Sequence, residues 1–139
     1  NPQGDVDLNY ANNFRLFRYA ETLLNYAEMI VMHGQSPVGS LTAQAALDMV
    51  RERAFGTSNP IPATADNIKL ERRREFVGEG MRFWDIVRWG DTSILTENLS
   101  EYNSVRTWND NWKYLPIPQS EIDRTAGTEF ALQQNPGYN

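Results

Sequence analysis

Cysteine is absent from the 139 residues, and histidine occurs only once, as His33. Without cysteine the chain forms no disulfide, no thiolate nucleophile and no zinc–thiolate site. A single histidine also excludes metal sites built from several imidazoles. No serine lies in the Gly-x-Ser-x-Gly pattern that marks one class of serine nucleophile. The sequence therefore predicts no metal site built on His and Cys and no nucleophilic catalysis, and we expect no cofactor. A calcium site formed by Asp and Asn stays open, although no EF-hand loop occurs.

Long apolar runs and positive net charge are lacking as well. The longest apolar run, Met29–Met32, is far shorter than the roughly 20 residues of a membrane-spanning helix. Thirteen Lys and Arg against eighteen Asp and Glu give a net charge of −5, whereas nucleic-acid binders usually carry a basic surface. We therefore expect no membrane span and no nucleic-acid partner for this chain.

Hydrophobic periodicity predicts four helices before residue 91. Their predicted spans are Phe14 to a cap at Gly34, Ser40 or Thr42 to Gly56, Thr64 or Asp66 to a break at Gly78 and Gly80, and Met81 to Trp89. Two helices joined by a short turn within about forty residues form the unit of an α-hairpin array.

Residues 91–139 lose this periodicity. Pro116 and Pro118 each restrict the preceding residue, so we expect an extended segment there. Residues 120–124 could form one helical turn. We predict a mainly α fold with a long irregular C-terminal region, and the length suits a single domain over residues 1–139.

Acidic and arginine side chains alternate between residues 71 and 88. Glu71, Glu75 and Glu79 have a spacing that suits the carboxylate pair of a glycoside hydrolase. An arginine lies within three residues of each acid, however, and a guanidinium favours the charged carboxylate, which is a poor proton donor. We interpret the segment as structural ion pairs formed by Glu71, Arg72, Arg73, Glu75, Arg82 and Asp85. A hydrolase that uses Glu75 or Glu79 is the enzymatic alternative.

A second cluster combines aromatic with polar side chains. Flat rings stack on the apolar face of a pyranose while amides bind its hydroxyls, so we predict glycan contacts at Tyr102, Trp108, Asn109 and Trp112. The alternative is that these rings only pin a long loop to the rest of the domain. Phe83, Trp84 and Trp89 fall in a predicted helix, and we expect them in the core.

Five segments in order resemble SusD/RagB-type nutrient-binding proteins. They are residues 18–28 (RYAETLLNYAE), residues 50–54 (VRERA), the stretch 71–90 with ERRREF and EGMRFWDIVRWG, residues 115–122 (LPIPQSEI) and residues 134–138 (QNPGY). Gly78 and Met81, where phenylalanine and histidine are frequent in the family, are mild departures.

The resemblance implies a fold of tetratricopeptide-like helical hairpins without catalytic activity or cofactor. It implies a surface lipoprotein of the bacterial outer membrane that binds a polysaccharide or other nutrient and delivers it to a SusC-like TonB-dependent transporter. Ligand residues vary within the family, so none is transferred by motif. An alternative function is a helical interaction module that docks on the transporter, with the sugar site elsewhere in the full-length protein.

The resemblance also concerns how much of the protein the chain represents. Residues 14–138 match only the C-terminal part of such proteins. We therefore expect a signal peptide, a lipidated cysteine and further helices upstream. The membrane would be reached only through that lipid anchor.

Overall fold

The computed structural model describes residues 16–99 and 104–138 and is mainly helical. The helices are α1 (Tyr19–His33), α2 (Ala43–Phe55), α3 (Ala65–Glu75), α4 (Met81–Trp89) and α5 (Gln119–Thr125). Contacts divide the chain between Glu79 and Gly80 into two compact units; the single domain over residues 1–139 stays a prediction. Within the described ranges, every helix is too short or too polar to cross a membrane.

Helix ends in the first unit follow local capping chemistry. The Thr42 hydroxyl accepts the Ala45 N–H at 3.1 Å, and the Thr64 hydroxyl accepts the Asn67 N–H at 3.3 Å. Each satisfies a backbone donor that the first turn of a helix leaves free. Gly34 ends α1 in the left-handed conformation, which glycine adopts without steric cost. These three positions confirm the predicted boundaries.

The start of α1 differs from the prediction. The helix begins at Tyr19 rather than Phe14, and residues 14 and 15 lie outside the described ranges. Arg18 has an extended backbone, with φ −132° and ψ 150°. Leu16 and Phe17, which continue the apolar stripe of the predicted helix in the sequence, are 72% and 86% exposed. Apolar residues at helical spacing occur before Tyr19 as well, so periodicity alone does not show where the helix begins.

The core of the first unit lies where α1 packs on α2 and α3. Its fully buried apolar side chains are Leu24, Ala27, Ala46, Leu47, Val50 and Ile68. The small alanines allow close approach of helices, and the branched side chains fill the remaining space.

A buried ion pair joins α2 to α3 in this core. Arg51 Nη1 donates to Glu71 Oε2 at 2.6 Å, and both side chains are only 4% exposed. Arg51 Nε also donates to the Asn59 carbonyl at 2.6 Å. Arg74 lies 3.7 Å from Glu71 but is half exposed, so the tertiary partner dominates over the neighbour on the same helix.

A second buried cation, Arg72, ties α3 to α1. Its Nη1 donates to Asn25 Oδ1 at 2.6 Å, and its Nε lies 3.9 Å from Glu28 Oε2. Glu28 is itself buried on α1. Charges in this position must be paired because desolvation penalises any isolated ion.

The Arg18 side chain links the start of α1 to the end of α3. Its guanidinium donates to both carboxylate oxygens of Glu79, at 2.6 and 2.9 Å, and to Glu75 Oε1 at 2.7 Å. Arg53 donates to the same Glu75 carboxylate at 2.6 Å. The hydrogen bond to Glu79 is the main cause that raises the pKa of Arg18.

Two of the arginines predicted to form structural ion pairs are placed differently. Arg73 is exposed and Arg82 is half-buried, and the structure gives neither an ion pair with a described residue. Helical rotation explains Arg73, since a residue next to the buried Glu71 and Arg72 points about 100° away from Arg72. Asp85 is buried and accepts from Arg88 at 2.9 Å rather than from Arg82.

The second unit is more ordered than the predicted irregular region. Strands β1 (Glu97–Leu99) and β2 (Ser104–Arg106) pair antiparallel, with Glu97 opposite Arg106. Short 3₁₀ helices span Thr92–Leu95 and Asp110–Lys113. Three-residue strands are too short for an alternating pattern to reveal, which is why sequence reasoning missed them.

Removing one partner of the Arg51–Glu71 pair tests whether it holds the first unit together. Glu71→Ala leaves the Arg51 charge buried and should lower the free energy of unfolding by about 3–5 kcal/mol. The matched control, Arg73→Ala, removes an exposed cation from the same helix and should change it by no more than about 0.5 kcal/mol. Chemical denaturation measures both. Equal, small changes in the two variants would show that the buried pair contributes nothing.

Candidate functional site

An open cavity of about 380 Å³ lies in the second unit. Small-molecule sites usually measure about 300–1,000 Å³. It is lined by Phe83, Leu95, Arg106, Trp108 and Trp112. Two of the four predicted glycan contacts, Trp108 and Trp112, therefore share one cavity.

The two indole rings of the cavity meet edge to face, and the Phe83 ring is tilted against one of them. Trp108 and Trp112 have ring centroids 5.8 Å apart and planes inclined by 87°, and Phe83 lies 6.1 Å from Trp108 at 56°. Such geometry suits the negative face and positive edge of aromatic rings. The two indoles form a corner, and Trp112 remains 42% exposed.

Hydrogen bonds fix the orientation of Trp108. Its backbone N–H donates to the Thr96 hydroxyl at 3.1 Å, and its indole N–H donates to Asp110 Oδ1 at 2.9 Å. Lys113 Nζ lies 3.2 Å from the other Asp110 oxygen. Because the indole N–H already has a partner, Trp108 offers a ligand mainly the surface of its ring.

Asn109 caps the start of a short helix, a role that the sequence analysis did not predict. Its side-chain oxygen accepts the Asn111 N–H at 2.9 Å and so begins the Asp110–Lys113 helix. Asn109 does not line the cavity. Tyr102 lies outside the described residues. Their glycan contacts stay predictions.

Phe83 and Trp84 differ from the core positions expected for them. Phe83 is half-buried and forms a wall of the cavity, whereas Trp84 is exposed. Leu95 and Arg106 are cavity residues that sequence reasoning missed. Arg106 lies only two residues before Trp108 in the sequence. This proximity indicates a shared cavity only once β2 is known.

The acidic residues considered for hydrolysis are held by arginines. Glu71 accepts from Arg51, Glu75 from Arg18 and Arg53, and Glu79 from Arg18. All three carboxylates are therefore engaged in charge-assisted hydrogen bonds with guanidinium groups. In the described part of the chain, no cluster of three acidic or histidine side chains could hold a metal ion.

Comparison with known proteins identifies the family. The chain belongs to the SusD family, whose sequence profile matches residues 1–138. Proteins of this family have a tetratricopeptide-like helical fold, in agreement with the mainly helical structure.

Solved structures and a characterised relative agree with this family. Surface glycan-binding protein A from Bacteroides fluxus is 59% identical, with a TM-score of 0.84 over 95% of this chain and 29% of that one. Surface glycan-binding protein A from Bacteroides thetaiotaomicron in complex with laminarihexaose is 43% identical, with a TM-score of 0.72 over 91% of this chain and 26% of that one. SusD-like protein P25 from Formosa agariphila is 30% identical over 151 aligned positions, covering 96% of this chain and 27% of the relative. The chain thus spans little more than a quarter of the length of each.

The hydrogen bond between Trp108 and Asp110 has a consequence that depends on pH. The indole N–H, followed by Lys113, lowers the pKa of Asp110 below its ordinary value of 3.8. The stabilisation of the folded state by the charged Asp110 carboxylate is therefore fully present above pH 3.8. It is lost as the pH falls through the lower pKa that Asp110 has in the folded state. In an NMR titration the Trp108 indole resonance should shift with a midpoint below 3.8.

Lys113→Ala provides the control for this titration. It removes the ion pair at Asp110 and leaves the hydrogen bond from the indole, so the midpoint should rise while the indole resonance still reports it. A wild-type midpoint at or above 3.8 would show that the indole–carboxylate hydrogen bond does not persist in solution.

Proposed function

We propose that the chain is part of a non-catalytic surface glycan-binding protein and that the cavity at Trp108 and Trp112 binds sugar. The observation that carries the proposal is the corner of two perpendicular indoles opening into a cavity of about 380 Å³. Support also comes from the similar surface glycan-binding proteins, one of them solved with laminarihexaose.

The chemistry of the cavity wall suits a carbohydrate. Sugar C–H groups carry partial positive charge and are attracted to the negative face of an indole. Leu95 and Phe83 extend the apolar wall. The exposed guanidinium of Arg106 supplies donors for hydroxyl groups at the rim. Apolar walls with a few polar groups that set orientation are typical of small-molecule sites.

Absence of catalysis is part of the proposal. Glycoside hydrolysis needs one carboxyl that donates a proton and a second carboxyl nearby. Glu75 and Glu79 both accept hydrogen bonds from Arg18, so both carboxylates are already engaged in ion pairs. Incubation with laminarihexaose should therefore release no new reducing ends. Turnover abolished by Glu75→Gln or Glu79→Gln would contradict this part of the proposal.

Delivery to a SusC-like TonB-dependent transporter at the bacterial outer membrane is the second part. Its support is the family membership together with a groove of about 320 Å³ in the first unit. That groove has the exposed side chains Tyr19 and Met49 on its rim. If it contacts the transporter, Tyr19→Ala should reduce co-purification of the two proteins and leave glycan binding unchanged. Trp112→Ala should weaken glycan binding and leave co-purification of the two proteins unchanged.

Substitution of the cavity tryptophans tests the glycan site directly. Trp112→Ala and Trp108→Ala each remove a stacking surface and should weaken the affinity for laminarihexaose at least about tenfold, or about 1.4 kcal/mol. Isothermal titration calorimetry gives the dissociation constants. Trp112→Phe keeps part of the ring and should retain part of the affinity.

The matched control for these variants is Phe130→Ala. Phe130 is an exposed aromatic residue of the same unit that does not line the cavity. Its loss should leave the dissociation constant unchanged. The proposal is wrong for this cavity if the wild-type chain binds the oligosaccharide and Trp112→Ala binds it equally well.

A further inference from the structure

The C-terminal tail, residues 134–138, lies against the Asp110–Lys113 helix, which contributes Trp112 to the cavity. Gly137 has φ +86°, a backbone conformation that favours glycine. A methyl carbon at Gly137 would lie 2.5 Å from Nδ2 and 2.7 Å from Cβ of Asn111. Both separations are shorter than van der Waals contact between such atoms. Side-chain rotation cannot relieve the second one, because Cβ does not move with χ1.

Two amide side chains hold the tail in this place. Gln134 forms a pair of hydrogen bonds with the Ile117 backbone, at 2.8 Å to the N–H and 2.9 Å to the carbonyl. Asn135 Nδ2 donates to the Leu115 carbonyl at 2.7 Å. The tail is therefore fixed to residues 115–117, and its contact with Asn111 is not that of a loose end.

Asn111 lies in the short Asp110–Lys113 helix, which bears Trp112. Its N–H bonds to Asn109, and its carbonyl accepts the Tyr114 N–H at 3.1 Å. Trp112 follows it directly, and Trp108 is held by Asp110 on its other side. A displacement of the Asn111 backbone therefore moves the residues that form the indole corner.

We infer that the tail positions the glycan site, with Gly137 acting as a positioning residue through Asn111 while touching no ligand itself. This inference rests on the proposed glycan function. The segment 134–137, Gln-Asn-Pro-Gly, would then contribute to ligand binding, although it lies more than twenty residues after Trp112 in the sequence. The absence of a side chain at Gly137 keeps the indoles at their observed angle.

The test compares Gly137→Ala with Gly127→Ala in the 139-residue chain. Gly127 has a similar φ of +77°, but a methyl group there meets nothing within 4 Å. Both variants carry the same kind of backbone strain, and only Gly137→Ala adds the clash. Gly137→Ala should weaken laminarihexaose binding about fivefold or more, the scale of coupling between groups in contact. Gly127→Ala should bind like the wild type.

Two further variants separate positioning from a loss of folding. Asn111→Gly removes the atoms that clash, so Gly137→Ala combined with Asn111→Gly should bind as Asn111→Gly does alone. Gln134→Ala releases the tail without adding an atom, and it should weaken binding even if Gly137→Ala fails to fold. Near-ultraviolet circular dichroism reports the fixed surroundings of the tryptophans without any ligand. It should change in Gly137→Ala and not in Gly127→Ala.

The outcomes distinguish this inference from the proposed function. Wild-type affinity in both Gly137→Ala and Gln134→Ala would overturn the inference and leave the glycan site intact. If the wild-type chain binds no laminarihexaose, the proposed function fails for that ligand. The circular dichroism still decides whether the tail sets the tryptophan geometry, and an unchanged spectrum in Gly137→Ala would refute it.

Discussion

The first unit depends on one constraint: every charge placed in its core needs a partner of opposite sign. Glu28, Arg51, Glu71 and Arg72 are all buried among apolar side chains. The desolvation free energy of any one of these charges alone would be too unfavourable for burial, whereas a hydrogen-bonded partner of opposite charge compensates for it. Because Arg51 lies on α2, Glu28 on α1 and the other two on α3, satisfying these charges fixes how the three helices meet. The same constraint favours arginine, with its planar fork, at the two buried cations Arg51 and Arg72.

The candidate site in the second unit is built differently. Its tryptophans are held by a 3₁₀ helix, a two-stranded ribbon and a tail, with hydrogen bonds rather than a large apolar core fixing their positions. Loops held in this way commonly carry binding residues, because their side chains can change without disturbing the scaffold. The acidic residues of α3, by contrast, are occupied in structural ion pairs.

Sequence reasoning succeeded where the cause was local. Threonine caps and left-handed glycines located the ends of α1 and α2 and the start of α3, since each acts within one turn. It failed where the cause was distant. The pairing of Glu71 with Arg51 spans 20 residues, and spacing along one helix could indicate only the neighbour Arg74, which lies 3.7 Å away. Grouping Trp108 with Trp112 was possible from proximity, but Phe83 and Arg106 join them only through tertiary structure.

The central claim is that glycan binds at the Trp108–Trp112 corner, and the four tryptophans of the chain allow it to be tested in one spectrum. Laminarihexaose would be titrated into the ¹⁵N-labelled chain while the indole N–H resonances are followed by NMR. The account predicts that the resonances of Trp108 and Trp112 shift in a saturable manner while that of the exposed Trp84, which does not line the cavity, stays in place. Saturable binding that shifts Trp84 and leaves Trp108 and Trp112 unmoved would contradict it.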